Sequence, residues 1–477
     1  DFTGTVEAWR QANAAALAEF WGKSSVTCSD PFVEELWYET LHARRCSYRG
    51  NVVAPGLFLP STLTDFTLWH GDYHMNYNYQ SPFWGGYEAN QLTLGDSYFP
   101  GFTHMIDLGR DLAKKFFNAR GTYIQLTGFP FPLDHDPYGV GPFSRMSYMT
   151  GWAVNQYWFR WLYTKDADWL AAEGYPVLRD ASQFYLDFLM EGEDGLVHAF
   201  PSDQGEFQFV DDITHYMDRP QVVRHARYCL RVTAQAGEIV GADAAFIAQC
   251  RDYASRLKQA DNLEWLGFEG DEEGYFQTPP EFIAWYDEKP EMGDPIEFRL
   301  DESNPMWEWY FGHFPLRWSV CMRNGSFVPD RDYAAVRQII NRWRRPNGLI
   351  RAMAVEGYGY VGAWAESLGI IGPMMEMMMQ SCGGVIRVFP LWPTDMDVSF
   401  DRLRAEGAFL VSASFAGGAV ASGVTIFSEA GGVCTLRKPW ADVKVTDEAG
   451  AAVAFETEGD TVSFPTAAGQ TFTVSQA

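Results

Sequence analysis

The feature that most constrains the fold is a change of hydrophobic period near Ser381. Before it, apolar residues recur at spacings of three and four in long segments. VEAWRQANAAALAEF, DPFVEELWYETLHARR, AVNQYWFRWLYTKD, ADWLAAEGYPVLRDASQFYLDFLM, PQVVRHARYCLRVTAQAGEIVG and DRDYAAVRQIINRWRR are examples, and this is the pattern of packed helices. From CGGVIRVFPLWP onward, short β-branched runs are broken by turn residues at intervals of about 8 to 12 positions, as in an antiparallel sandwich. The chain is therefore expected to be mainly α over residues 1–384, followed by a small C-terminal antiparallel β-sandwich over 385–477. No fixed-period self-similarity marks a solenoid, so a toroid of helical hairpins is expected, with its site on the long loops of one rim. Met374, Met375, Met377, Met378 and Met379 fall at core spacing on a helix just before the switch.

Composition narrows the function classes. With 477 residues, 47% of them hydrophobic, the chain can bury a large core. No apolar run reaches the ~18 residues of a membrane span, and the N-terminal DFTGTVEAWRQ reads as neither signal peptide nor targeting arm. A net charge of −26 repels phosphate backbones and anionic membranes, so neither nucleic acid nor a membrane is expected as a partner. Aromatic residues, 16% of the chain, suit stacking on sugar faces as well as filling a core. The seven cysteines form no C-x-x-C pair. Cys28 with Cys46, or Cys229 with Cys250, could bridge in an oxidising compartment, but buried free thiols are the expected state.

Three segments carry chemistry. HGDYHMNYNYQSPFW, residues 70–84, crowds polar and aromatic groups where no regular period hides them. Asn76 and Asn78 sit two apart and would project together from an extended segment to hold one polar object, such as a water, or else form Asx turns. His70, Asp72 and His74 alternate as metal ligands on a strand do, yet no further cluster at ligand spacing supports a metal, and neither metal nor cofactor is expected. In GLVHAFPSDQGEFQF, residues 195–209, Glu206 lies in an aromatic loop that would raise its pKa and suit it to general-acid work; the alternative is an ordinary surface glutamate. In GYGYVGAWAESLGIIG, residues 357–372, Glu366 opens a helix beside Trp364, either as a reactive carboxylate or as a group favoured by the helix dipole.

These segments resemble the catalytic region of glycoside hydrolase family 95, the inverting α-L-fucosidases and α-L-galactosidases, and its six-hairpin relatives. The family's Asn-x-Asn-x-Glu-x-Asn-Tyr-Trp is matched at Asn76, Asn78 and Trp84, with Gln80 and Pro82 at the family's glutamate and last asparagine. Its Ser-Pro-Ser-x-Ser-Pro-Glu falls on Pro201 to Glu206, and its Glu-Met-Leu-Leu-Gln-Ser on EMMMQS, residues 376–381. The family's Asp-Gly-Asn-Phe-Gly and its large N-terminal β domain have no counterpart here; Glu366 is the acid nearest the first of these, one position out of register, and Glu356, Asp301 and Glu302 are rivals. The resemblance implies an (α/α)6 barrel and an inverting exo-glycosidase. Glu206 would be the acid, Asn76 and Asn78 would hold the water, Glu366 would polarise it, and His70, Asp72, His74, Gln80, Trp84 and Trp364 would contact an oligo- or polysaccharide. A secreted or periplasmic location is favoured. Two other classes stay open: a polysaccharide lyase using Tyr73 or His74 as base, and an inactive sugar-binding protein, for which Gln80 argues.

Overall fold

The computed structural model describes residues 4–50, 52–57, 68–75, 78–132, 146–202, 217–218, 220–258, 328–344, 351–355, 359–362 and 364–477. Helix α1 (Val6–Trp21) is capped by the Thr5 hydroxyl, yet Phe20 is its only buried residue. Strand β1 (Ser25–Cys28) follows, then α2 (Pro31–Ser47), started by the Asp30 carboxylate and Pro31. Short α3 (Leu92–Asp96) leads into α4 (Phe99–Phe117), which ends at left-handed Asn118. Helix α5 (Tyr148–Thr164) is buried around its circumference over two-thirds of its length.

The segment expected as one acid-capped helix is α6 (Ala167–Trp169), a π turn at Leu170–Gly174, and α7 (Tyr175–Phe188). Asp166 caps it through the Trp169 N–H, 3.0 Å, and the π turn lies directly before Pro176, which cannot donate to the helical ladder. The hairpin of β2 (Met190–Glu191) and β3 (Val197–His198) precedes α8 (Pro220–Val240) and α9 (Ala244–Arg256). Helices α5 and α8 pack side by side as an inner pair, while α4, α7 and α9 bury one stripe each. The described residues thus form a two-layered helical region.

After α10 (Pro329–Trp343) and the hairpin of β4 (Arg351–Val355) and β5 (Gly359–Gly362) come α11 (Trp364–Gly369) and α12 (Ile371–Met378). The methionines of α12 are core, as their spacing predicts. Strands β6 (Met379–Gln380), β7 (Val385–Val388), β8 (Val398–Ala405), β9 (Phe409–Ala416), β10 (Ala419–Val420), β11 (Val424–Ser428), β12 (Gly432–Arg437), β13 (Val443–Asp447), β14 (Glu456–Glu458), β15 (Thr461–Thr466) and β16 (Gln470–Gln476) build two sheets. One runs β1-β8-β9-β11-β16-β13 with β10 on β9, the other β14-β15-β12-β7-β6. Phe464 and Phe472, rings 5.2 Å apart, meet between them.

Two features depart from the expected sandwich. The β7/β12 ladder is parallel: β7 pairs antiparallel with β6 on one side, and β12 reaches its other side only after β8 to β11 of the other sheet, so no hairpin joins the two. The seven-stranded sheet takes an edge strand from the N-terminal part, with Ser25 opposite Asp401 and Cys28 opposite Val398. The helical and β parts are also clasped by Arg404, nearly fully buried on β8. Its guanidinium donates to the Asn90 side chain, the Tyr163 carbonyl and Glu429. Neither proposed disulfide is present: Cys28, Cys46, Cys229 and Cys250 are free, and Cys46 is exposed instead of buried.

Candidate active site

The 70–84 segment begins with a kink. Trp69 and His70 have φ of 50° and 56°, a left-handed pair that turns the chain before Gly71. The next residues are extended, held where the Tyr73 N–H donates to the Gly128 carbonyl (2.8 Å) and the Met75 N–H to the Leu126 carbonyl (2.7 Å). Two-residue alternation follows. Tyr73 and Met75 enter the aromatic core, and Asp72 and His74 are brought together, His74 Nδ1 lying 3.0 Å from Asp72 Oδ2. Asp72 is fully buried and its second oxygen has no hydrogen-bond partner among the described residues. The carboxylate fixes the His74 ring and assigns the Nδ1 proton, leaving Nε2 as the other hydrogen-bonding atom.

Among the remaining expected contacts, His70 stays exposed, apart from this buried pair. Gln80 is buried, and its amide nitrogen donates to the Met75 carbonyl, so it braces its own loop. Asn78 is half-buried in the turn between them. Asn76 and Glu206 lie outside the described residues, as do the rivals Glu356, Asp301 and Glu302. Glu366 and Trp364 are described only as positions in α11.

The positions that are described are informative. Helix α11, bearing Glu366, packs against the short 3-10 turn Ser81–Phe83 that directly follows Asn78 and Gln80. Arg44 on α2 locks this contact: its guanidinium donates to the Trp84 carbonyl and to the Leu368 carbonyl of α11. Burial pushes the Arg44 pKa down to about 10. Gly85 (φ +70°) lets the chain pass against α12, because a Cβ there would overlap the Ile371 side chain and the Gly372 N–H. Beside the lock, burial raises the Glu88 carboxyl above its ordinary value although the Tyr163 hydroxyl donates to it at 3.0 Å.

The segment leading to Glu206 is anchored at both ends. The Asp218 carboxylate accepts from the Ala199 N–H (2.7 Å) and holds His198 Nδ1 at 2.7 Å, while the Asp218 N–H donates to the Ala199 carbonyl. Asp194 faces the other ring nitrogen at 3.2 Å. The Asp218 hydrogen bond, reinforced by Asp194, raises the His198 pKa above its usual value. The sequence reading missed His198, Asp218 and Arg44. His198 lies inside the quoted 195–209 motif and was the legible one; Arg44 reads as an ordinary last-turn helix cation. Among the described residues no group of three metal-ligating side chains occurs, and no helix is long and apolar enough to cross a membrane.

Residues 61–266 match the glycosyl hydrolase family 95 catalytic domain. Alpha-L-fucosidase 2 of Arabidopsis thaliana is 26% identical over 377 residues, covering 72% of this chain and 43% of its own length. A protein of Aspergillus niger assigned as alpha-fucosidase A is 27% identical over 188 residues, 37% of this chain and 23% of that one. The chain thus spans less than half the length of these relatives. In structure it resembles a protein from the human microbiome assigned as a kojibiose phosphorylase (TM-score 0.53, 11% identity, 91% of this chain and 61% of that one), a likeness of fold alone. Over residues 61–266 the chain thus resembles the glycosyl hydrolase family 95 catalytic domain.

Proposed function

We propose that the protein is an inverting, exo-acting glycoside hydrolase that releases a terminal α-L-fucose or α-L-galactose from an oligo- or polysaccharide. The observation that carries the reading is the packing of α11, with Glu366, on the turn after Asn78, with Arg44 fastened to both. Segments more than 280 residues apart in sequence thereby share one wall. The matched family domain and the fucosidase relatives support the substrate class.

In this reading the helical hairpins of residues 1–384 close into an (α/α)6 toroid, braced by the 385–477 sandwich. Protonated Glu206 gives its proton to the glycosidic oxygen as the bond breaks. A water oriented by Asn76 and Asn78 loses a proton to Glu366 and attacks the anomeric carbon from the opposite face. Such a pair of carboxyl groups stands about 6.5–9.5 Å apart, leaving room for the water. His74, oriented by Asp72, hydrogen-bonds a sugar hydroxyl, and Trp84 and Trp364 stack on the ring. His70 meets the substrate at the rim and Gln80 shapes the pocket through its loop. A secreted or periplasmic location suits a polysaccharide substrate.

The test is turnover of 4-nitrophenyl α-L-fucoside and α-L-galactoside and of fucosylated oligosaccharides, with the product anomer read by proton NMR at early times. Inversion is expected. Glu206→Gln should lower turnover of oligosaccharides by about 10²–10⁴-fold while binding persists. Retained configuration, an unsaturated product absorbing in the near ultraviolet, or Glu206→Gln activity within a few-fold of wild type would overturn the reading.

A further inference from the structure

A cavity of about 410 Å³ opens between α1, the end of α2 and the start of α3, and none of the groups assigned to the reaction is among its lining residues. Its lining includes Lys23, Arg45 and Arg49, with Glu19 as the one carboxylate among the described residues. This is unusual in a chain with 62 acidic and 36 basic residues, whose other arginines are widely paired: Arg110, Arg120, Arg160, Arg251, Arg256 and Arg344 each meet a carboxylate. Lys23, Arg45 and Arg49 make no ion pair among the described residues. The Arg45 guanidinium rests over the Phe20 ring, 5.6 Å from its centroid. That contact positions a cation without neutralising it.

The cavity is also firmly built. Its floor is tied where buried Gln91 donates to the Phe20 carbonyl (2.9 Å) and buried Asn90 to the Lys23 carbonyl (2.8 Å). Tyr48, another lining residue, packs edge-on against Phe83 of the 81–83 turn, rings 5.0 Å apart. One aromatic ring therefore separates this basic hollow from the wall assigned to the sugar. Three cations against one carboxylate, in a molecule whose overall field repels anions, concentrate local positive potential at one concave spot.

We infer that this hollow is an anion subsite, outside the reacting centre, for a carboxylate or sulfate ester carried on a polysaccharide. Arginine offers such oxyanions paired donors, and lysine supplies a point charge. The identification of the carrier as a polysaccharide rests on the glycosidase reading; the anion preference rests on the cavity alone.

The test is affinity electrophoresis and calorimetry with polygalacturonate, dextran sulfate and neutral dextran, on wild type and on Lys23→Glu/Arg49→Glu. Both replaced side chains are at least partly exposed and make no ion pair among the described residues, and circular dichroism checks the fold. Wild type should bind at least one anionic polymer and not dextran, with affinity falling as salt rises. The double variant should lose at least about tenfold in affinity while its rate on a small aryl glycoside stays unchanged. The milder Lys23→Gln/Arg49→Gln should lose less. Which polymer binds separates a carboxylate site from a sulfate site. Absence of binding to both, or undiminished binding by the double variant, overturns the inference. Charge-dependent polymer binding without hydrolysis of any glycoside would uphold the subsite and sink the glycosidase reading; hydrolysis without polymer binding would do the reverse.

Discussion

Replacing Asp218 tests whether the anchor at the neck of the Glu206 segment is an energetic feature. Its two carboxylate oxygens accept at 2.7 Å each, from Ala199 N–H and from His198, and the Asp218 and His198 side chains are only 13% and 16% exposed. Hydrogen bonds to a charged group contribute about 1.5–3 kcal/mol each, so the pair is worth roughly 3–6 kcal/mol gross. Water entering the vacated site returns part of this. Asp218 also sits at φ +51°, where aspartate is tolerated better than alanine. Asp218→Ala should therefore cost about 2–4 kcal/mol near pH 5.5. Asp218→Asn, which keeps the backbone preference and one acceptor, should cost about half as much.

The pH dependence has a definite sign. Because the folded-state pKa of His198 is raised, its stabilisation is complete below the unfolded value of about 6.5 and is lost as pH rises through the folded value. The cost of Asp218→Ala should accordingly shrink at pH 9, leaving mainly the Ala199 hydrogen bond and the backbone term. Asp194, the other acid on the ring, remains in both variants. Urea unfolding followed by tryptophan fluorescence at the two pH values is the assay. A loss under about 1 kcal/mol at pH 5.5, or equal losses at both, would refute the reasoning.

Arg44→Met should destabilise the chain by about 2–4 kcal/mol, since the Trp84 and Leu368 carbonyls lose their donor in a dry site while the relief of a buried charge offsets only part; thermal unfolding measures it, and an unchanged midpoint would show that the clasp is dispensable. Gly101→Ala on α4 places a methyl on the Tyr73 hydroxyl, which donates to the Ala54 carbonyl at 2.8 Å. A loss of about 1–3 kcal/mol is expected, and Tyr73→Phe combined with it should cost less than the sum of the two singles if the clash is the cause.

The sequence disclosed what depends on local pattern. The period change near Ser381 coincides with β6 and β7, the helical patterns that start at Asp30 and Ala167 become α2 and the run from α6 to α7, and the alternation of Asp72 and His74 becomes a real pair. Hidden features depend on partners far along the chain. Ser-Val-Thr-Cys at 25–28 is too short to announce a strand, and only β8 makes it one. The parallel β7/β12 ladder has no local signature either. Arg44 carries the same letters as a solvated helix-end arginine, and only Trp84 and Leu368 reveal its work.

The strand at 25–28 has a consequence for how the protein can be made. It leaves a ribosome about 370 residues before its β8 partner, a pairing of very high sequence separation. Until then its edge is open to strands of other nascent chains. An expression fragment ending at residue 384 would keep that orphan edge permanently, and one beginning at 385 would lack the strand that covers β8. Either half alone should aggregate more readily than the whole. Coexpressing the two fragments should rescue solubility if 25–28 can find β8 in trans, and a soluble, cooperatively folded 385–477 fragment would show that β8 needs no such cover.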